Sequence, residues 1–149
     1  MLKLGLIQMA NGDLDTAYVT LTQVLHTRRK AIGGNQPEVA KILNLIGYLL
    51  YEFGSLLAAL KSMEEALEIL RPEEKDAADT LANMGFLYFK LEDYKEATAC
   101  YQEALCIQNR VFGDLHPKTV LTRENLEYVK QQSSQLLVFQ DPVRACFWP

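Results

Sequence analysis

The 149-residue chain lacks any charge-free apolar run of the roughly 18 residues that a membrane-crossing helix needs. Its start is apolar from Met1 to Ile7, but Gln8, Asn11 and Asp13 follow too soon for the core of a signal peptide. Cysteine is scarce: Cys100, Cys106 and Cys146 make an odd count with no CxxC spacing. Cys100 and Cys106 lie six residues apart on a predicted helix, roughly 120° around its axis, and cannot bridge within it. Free buried thiols in a reducing, cytoplasmic compartment are the expectation. Only two histidines occur, His26 and His116, and neither belongs to an HExxH or another local ligand cluster, so no metal and no cofactor are expected. Excess positive charge is missing too. A formal net charge of −4 argues against a nucleic-acid surface. The one basic run, Arg28-Arg29-Lys30, sits at a helix end, where cations complement the helix dipole. Strand-like alternation is absent, so Gly33-Gly34 reads as a helix stop and no phosphate loop is expected. No catalytic constellation assembles, and the chain is read as not an enzyme.

What is present is a repeat. Leu4-Gly5-Leu6, Ile46-Gly47-Tyr48 and Met84-Gly85-Phe86 open three similar stretches, with glycines 42 and then 38 residues apart. Twelve residues beyond each glycine stands an alanine, Ala17, Ala59 or Ala97; seven beyond that comes Val24, Ala66 or Ala104. Helices approach to 8–10 Å only where the residues at the crossing are small, and glycine inside a helix costs about 1 kcal/mol against alanine. Three equivalent glycines therefore point to close packing. Apolar residues around them recur at helical period, as in Leu56, Leu60, Met63, Leu67 and Leu70. The turns Asn11-Gly12-Asp13, Phe53-Gly54-Ser55 and Leu91-Glu92-Asp93 are alike, with Ser55 and Asp93 as predicted N-caps and Glu96 completing a capping-box pattern. Proline punctuates the links at Pro37, Pro72 and Pro117. The spacing predicts helices over about 2–10, 13–30, 37–53, 55–70, 74–91, 93–111 and 117–132.

These residues resemble the tetratricopeptide repeat. The third copy carries Leu81, Met84-Gly85, Tyr88, Ala97, Tyr101 and Ala104 at the motif positions; the second carries Leu43, Ile46-Gly47, Leu50, Ala59, Met63 and Ala66. The 42-residue spacing, the stretch Pro37 to Asn44, and Arg110-Val111-Phe112-Gly113-Asp114-Leu115-His116-Pro117 are similar to the long-linker, kinesin light chain-like subtype. The resemblance implies an all-α fold: a right-handed α-solenoid of three helix pairs (about 1–36, 37–73 and 74–115) with a capping helix at 116–132. Residues 133–149 are expected to form a flexible or weakly docked tail. Glu127 stands where a fourth copy would have its small residue, which fits a terminal helix. The abrupt start points to a piece or short isoform of a longer array.

In this family the first helix of each pair lines a concave face. Spacing from the packing glycines sets Lys41, Asn44, Tyr48 and Tyr51 there, then Asp79, Asn83, Phe86, Phe89 and Lys90, then Asn125 and Tyr128. Aromatic rings with interspersed amides suit an extended peptide or a helix. Two readings stand for Tyr48, Phe86 and Tyr128: contact with a partner, or packing of repeat on repeat. The Lys and Asn arrangement of a chaperone-type carboxylate clamp is lacking. The expected function is a non-catalytic adaptor or scaffold that binds a protein or peptide, with no nucleic acid and no membrane as partner. The alternatives are a self-associating fragment, with a homo-oligomer formed through the open N-terminal repeat face, or a regulatory repeat region of a larger signalling or transport protein.

Overall fold

Helix boundaries follow the punctuation of the sequence closely. A computed structural model describes residues 1–34, 36–70 and 75–135, with the backbone alone at Gln135. Expectations for the link at 71–74, for Cys146 and for the tail from 136 onward lie outside these residues. The described residues form seven α-helices and no strand: α1 (Leu2–Ala10), α2 (Leu14–Ile32), α3 (Pro37–Glu52), α4 (Leu56–Ile69), α5 (Lys75–Lys90), α6 (Tyr94–Phe112) and α7 (Pro117–Gln135). The fold is all-α.

The chain divides into two units, Met1–Leu70 and Arg71–Pro149. In the first, α1 packs on α2, α2 on α3 and α3 on α4. Its core draws Met9 from α1, Ala17, Leu21 and Val24 from α2, and Ile42, Ile46 and Leu49 from α3. The basic run ending α2 is tied down by ion pairs, Arg28 to Glu38 at 3.3 Å and Arg29 to Glu65. In the second unit α5 packs on α6 and α6 on α7.

Each first helix meets its partner at its glycine. A Cβ built on Gly5 would lie 2.8 Å from Leu21 Cδ2; on Gly47, 3.0 Å from Met63 Cε; on Gly85, 3.0 Å from the Tyr101 ring. The residue pressed against the glycine is thus the one sixteen positions further on in every pair. The alanines sit in the same tight layer, Ala17, Ala59 and Ala97 being fully buried, and the Ala59 carbonyl lies 3.4 Å from the Gly47 site.

The turns after the first helices share one geometry. The residue two before the next helix takes a left-handed conformation: Gly12 at φ +80°, Gly54 at φ +78°, and Glu92 at φ +61°. The third turn places a side chain where the others have none, a conformation that costs an L-residue roughly 1–2 kcal/mol. Asp93 then caps α6, its Oδ1 accepting the Glu96 N–H at 3.2 Å. Ser55 occupies the N-cap of α4 without a side-chain cap bond.

Three expectations need correction. Cys106 is exposed, not buried, because it lies on the outer side of α6; Cys100 is buried. Helix α2 runs on to Ile32, where Gly33 ends it. Helix α7 continues through Ser133 and Ser134 rather than breaking there. The Ser134 hydroxyl donates to the Lys130 carbonyl at 3.0 Å, so its hydrogen-bonding capacity is absorbed inside the helix.

Gly85→Ala is expected to destabilise the protein by about 1 kcal/mol, overpacking against a buried ring outweighing the gain in helix propensity. Gly47→Ala should fall within about 0.5 kcal/mol of neutral, since the Met63 thioether can turn aside. Thermal unfolding of the two variants side by side reads the difference. By the same measurement Glu92→Gly should stabilise by about 1 kcal/mol, relieving the left-handed side chain.

Candidate functional site

Along α3 the steps of three and four residues between Lys41, Asn44, Tyr48 and Tyr51 set these side chains on one stripe. Lys41 is exposed, while Asn44, Tyr48 and Tyr51 are half-buried. Tyr48 packs its ring on the core of the first unit and hydrogen-bonds through its hydroxyl to Glu52, one turn along. Burial pushes its phenol above the ordinary value; the Glu52 charge and that hydrogen bond push it further, and Tyr51 adds to the shift.

In the second unit Asp79, Asn83, Phe86 and Lys90 form the matching stripe on α5, and Phe89 flanks it. Two contacts bring α7 alongside. Lys118 Nζ donates to Asp79 Oδ2 at 2.6 Å, both side chains being about three-quarters covered (28% and 24% exposed). Further along, the Phe89 ring meets Tyr128 edge-on at 5.7 Å and Tyr94 at 5.9 Å. Lys90 Nζ lies 5.4 Å from the centre of the Phe86 ring, a cation–π distance.

Burial sorts these residues into two groups. Phe86, Asn83 and Asn125 are nearly covered, at 3%, 4% and 3% exposure. They lie beneath the surface, and the Asn83 carboxamide oxygen is buried with no donor among the described residues. Asp79, Phe89, Lys90 and Tyr128 reach the surface. Beside them a hollow of about 470 Å³ runs along α7, lined by Leu121, Arg123, Glu124, Asn125, Glu127, Tyr128 and Gln131.

Two participants escaped the sequence reading. Lys118, 39 residues from Asp79, has no local signal beyond opposite charge. Tyr94 follows a turn and was legible only as an amphipathic helix start. Histidine contributes elsewhere: the His116 ring stacks on Phe112 at 4.4 Å, and its Nδ1 accepts the Lys118 N–H at 3.2 Å, making it a cap for α7. Among the described residues no three His, Cys, Asp or Glu side chains converge in a way that could hold a metal ion. No helix among them is long and apolar enough to cross a membrane.

Comparison with known proteins agrees with this architecture. Residues 1–71 and 76–136 match the Tetratricopeptide repeat family. A clustered mitochondria protein homolog from Emericella nidulans is 24% identical over 97% of the chain, and one from Danio rerio 27% identical over 89%. The chain spans only 12% and 10% of the length of those two relatives. A Podosopora anserina structure, described as a kinesin light chain with nearly identical TPR-like repeats, superposes with a TM-score of 0.79 at 19% identity, covering 91% of this chain and 66% of that one. BtubC (BKLC) from P. vanneervenii superposes with a TM-score of 0.79 at 21% identity, covering 89% and 54%. The structural likenesses show a shared fold.

The Tyr48 phenol should titrate above the value of a free tyrosine, and Glu52→Gln should lower it. The raised value means that the folded state prefers the protonated ring. Stability from this group is therefore full below about pH 10 and declines as pH rises through the folded value. Ultraviolet difference titration of the protein and of E52Q, with Tyr48→Phe to assign the signal, checks both points.

Proposed function

The chain belongs to the tetratricopeptide repeat family, and on that premise we propose that it is an adaptor that grips an extended peptide or a single helix of a partner protein on the inner faces of its first helices. The family is one of non-catalytic interaction scaffolds, and its repeats mark a protein–protein interaction module. The observation that carries the finer reading is the aromatic surface of the second unit, where Phe89 and Tyr128 meet edge-on above the covered Phe86, Asn83 and Asn125. Half-exposed rings held by neighbours offer contact area without a large ordering cost, which is what an anchor site for a partner's apolar side chain requires. Tyr51 and Tyr48 on α3 supply the corresponding aromatic pair in the first unit, with Lys41 and Asn44 beside them. Lys90 and Asp79 supply charge at either end of the α5 stripe. In this reading residues 1–132 form the repeat region, with pairs at about 1–36, 37–73 and 74–115 and the helix at 116–132 as a cap. A cytoplasmic address belongs to the same reading.

A second reading draws on one contrast. Leu4 and Ile7 of α1 are exposed at 45% and 57%, whereas Ile46 and Leu49, at the same positions of α3, are 6% and 0% exposed. Self-association through this face predicts a homodimer in light scattering across a concentration series; a constant monomer mass removes it.

Peptides selected from a random display library on the chain test the main proposal. Their affinity, read by fluorescence anisotropy, is expected to fall at least about tenfold on Phe89→Ala and on Tyr128→Ala. Circular dichroism should show the fold kept. Selected peptides that bind both variants as tightly as the unmodified chain would refute an inner-face site.

A further inference from the structure

The hollow of about 470 Å³ beside the aromatic pair of the second unit has an unbalanced lining. Three charged side chains border it, Arg123, Glu124 and Glu127, all on α7. Arg123 donates to the Asp114 carbonyl at 3.3 Å and stands 3.5 Å from the carboxylate of the same residue. Glu127 pairs with Lys130 at 3.3 Å. Glu124 is exposed and pairs with no cation among the described residues. Charges elsewhere on this face are engaged as well. Asp79 is bonded to Lys118, and Lys90 lies over the Phe86 ring. One carboxylate is therefore left uncompensated, and it lines the hollow.

Glu124 precedes Tyr128 by four residues, so the two side chains share one stripe of α7, with Cβ atoms roughly 6 Å apart. Asn125 lies beside them, nearly covered, and Leu121 continues the stripe about one turn earlier. A partner side chain seated against the Phe89–Tyr128 edge pair thus brings its neighbours over Glu124. We infer that the inner face of the second unit selects partner segments in which a lysine or arginine stands close to the apolar anchor, with Glu124 as the residue that reads the charge. In an extended segment, which advances about 3.3 Å per residue, the basic residue sits about one or two positions from the anchor. In a helical segment it sits about three or four positions away. An acidic segment placed there meets like charge and is refused. A solvated pair of this kind adds little affinity and sets selectivity instead, because water and salt weaken the attraction while a wrong charge still repels. The inference rests on the reading of the inner face as a peptide site and adds the sign of the partner.

Display-selected peptides on the full chain, measured by fluorescence anisotropy at low salt, test the charge. Selected sequences are expected to be enriched in lysine or arginine near the apolar residue whose replacement by alanine abolishes binding. Glu124→Gln should weaken such peptides by about three- to fivefold, and Glu124→Lys by about tenfold or more. Replacing the basic residue of the peptide by glutamine should cost the same factor on the unmodified chain and nothing further on Glu124→Gln, the mark of a direct pair. Glu103→Gln removes an exposed carboxylate of α6, controls for net charge and should leave affinity unchanged. Binders weakened by Phe89→Ala and Tyr128→Ala that carry no basic enrichment, or that respond equally to Glu124→Gln and Glu103→Gln, overturn the charge inference and leave the peptide site standing. A library that yields no binder, or binders indifferent to Phe89→Ala and Tyr128→Ala, removes the peptide site and the charge inference with it.

Discussion

The fold depends on how closely the two helices of each pair approach, and that distance is set where a glycine meets one side chain. The side chain opposite the glycine differs from pair to pair: Leu21, Met63 and Tyr101. A Cβ added at any of the three crossings would press on that side chain, at 2.8 Å from Leu21 and 3.0 Å from Met63 and Tyr101. A branched aliphatic, a thioether and an aromatic ring each fill the space a glycine leaves, and the first helix seats itself on whichever is there. The surrounding alanines keep the layer thin enough for this single contact to govern. Turn geometry follows from it. Once the helices are pressed together, the three-residue connection has to reverse the chain sharply, and the left-handed residue at its centre is the result. In the third turn that requirement overrides the preference of a glutamate.

Much of this was legible in the residues because the relevant constraints are local or periodic. Glycine at a fixed distance from alanine, proline at the first turn of α3 and α7, and an aspartate before α6 each act within a few positions of themselves. Helical spacing likewise grouped Asp79, Asn83 and Phe86 on one stripe of α5. What periodicity does not carry is depth. Phe86 and Asn83 share that stripe with Asp79 and Lys90, yet they are covered while the others reach solvent. Coverage depends on neighbouring helices, which helical spacing within one helix does not register. The same limit explains Cys106, whose helix was foreseen and whose side was not. It explains the Lys118–Asp79 pair as well, since its members belong to helices separated by a whole third element. The extension of α7 past Gln132 is a different kind of miss: the apolar pattern stops there, yet the helix runs on to Gln135, with the Ser134 hydroxyl bonded back to the Lys130 carbonyl.

The stripes along α3 and α5 combine rigidity with chemical variety. Tyr48 packs on the core of its unit and bonds to Glu52, and Phe89 is wedged between Tyr94 and Tyr128. Under the proposed function, rings held in this way would lose little freedom on contact with a partner. These rings are carried by α3 in the first unit and by α5, α6 and α7 in the second.

Glu127 occupies in α7 the position that Gly47 and Gly85 hold in α3 and α5, and it is an exposed carboxylate paired with Lys130 at 3.3 Å. A following helix would have to bury that charge in order to nest as α4 and α6 do. Evolutionary change in copy number by duplication of a pair is therefore directional in this molecule. A duplicated pair inserted before α7 brings its own glycine contact, whereas a second helix added behind α7 to pair with it meets a charged side chain.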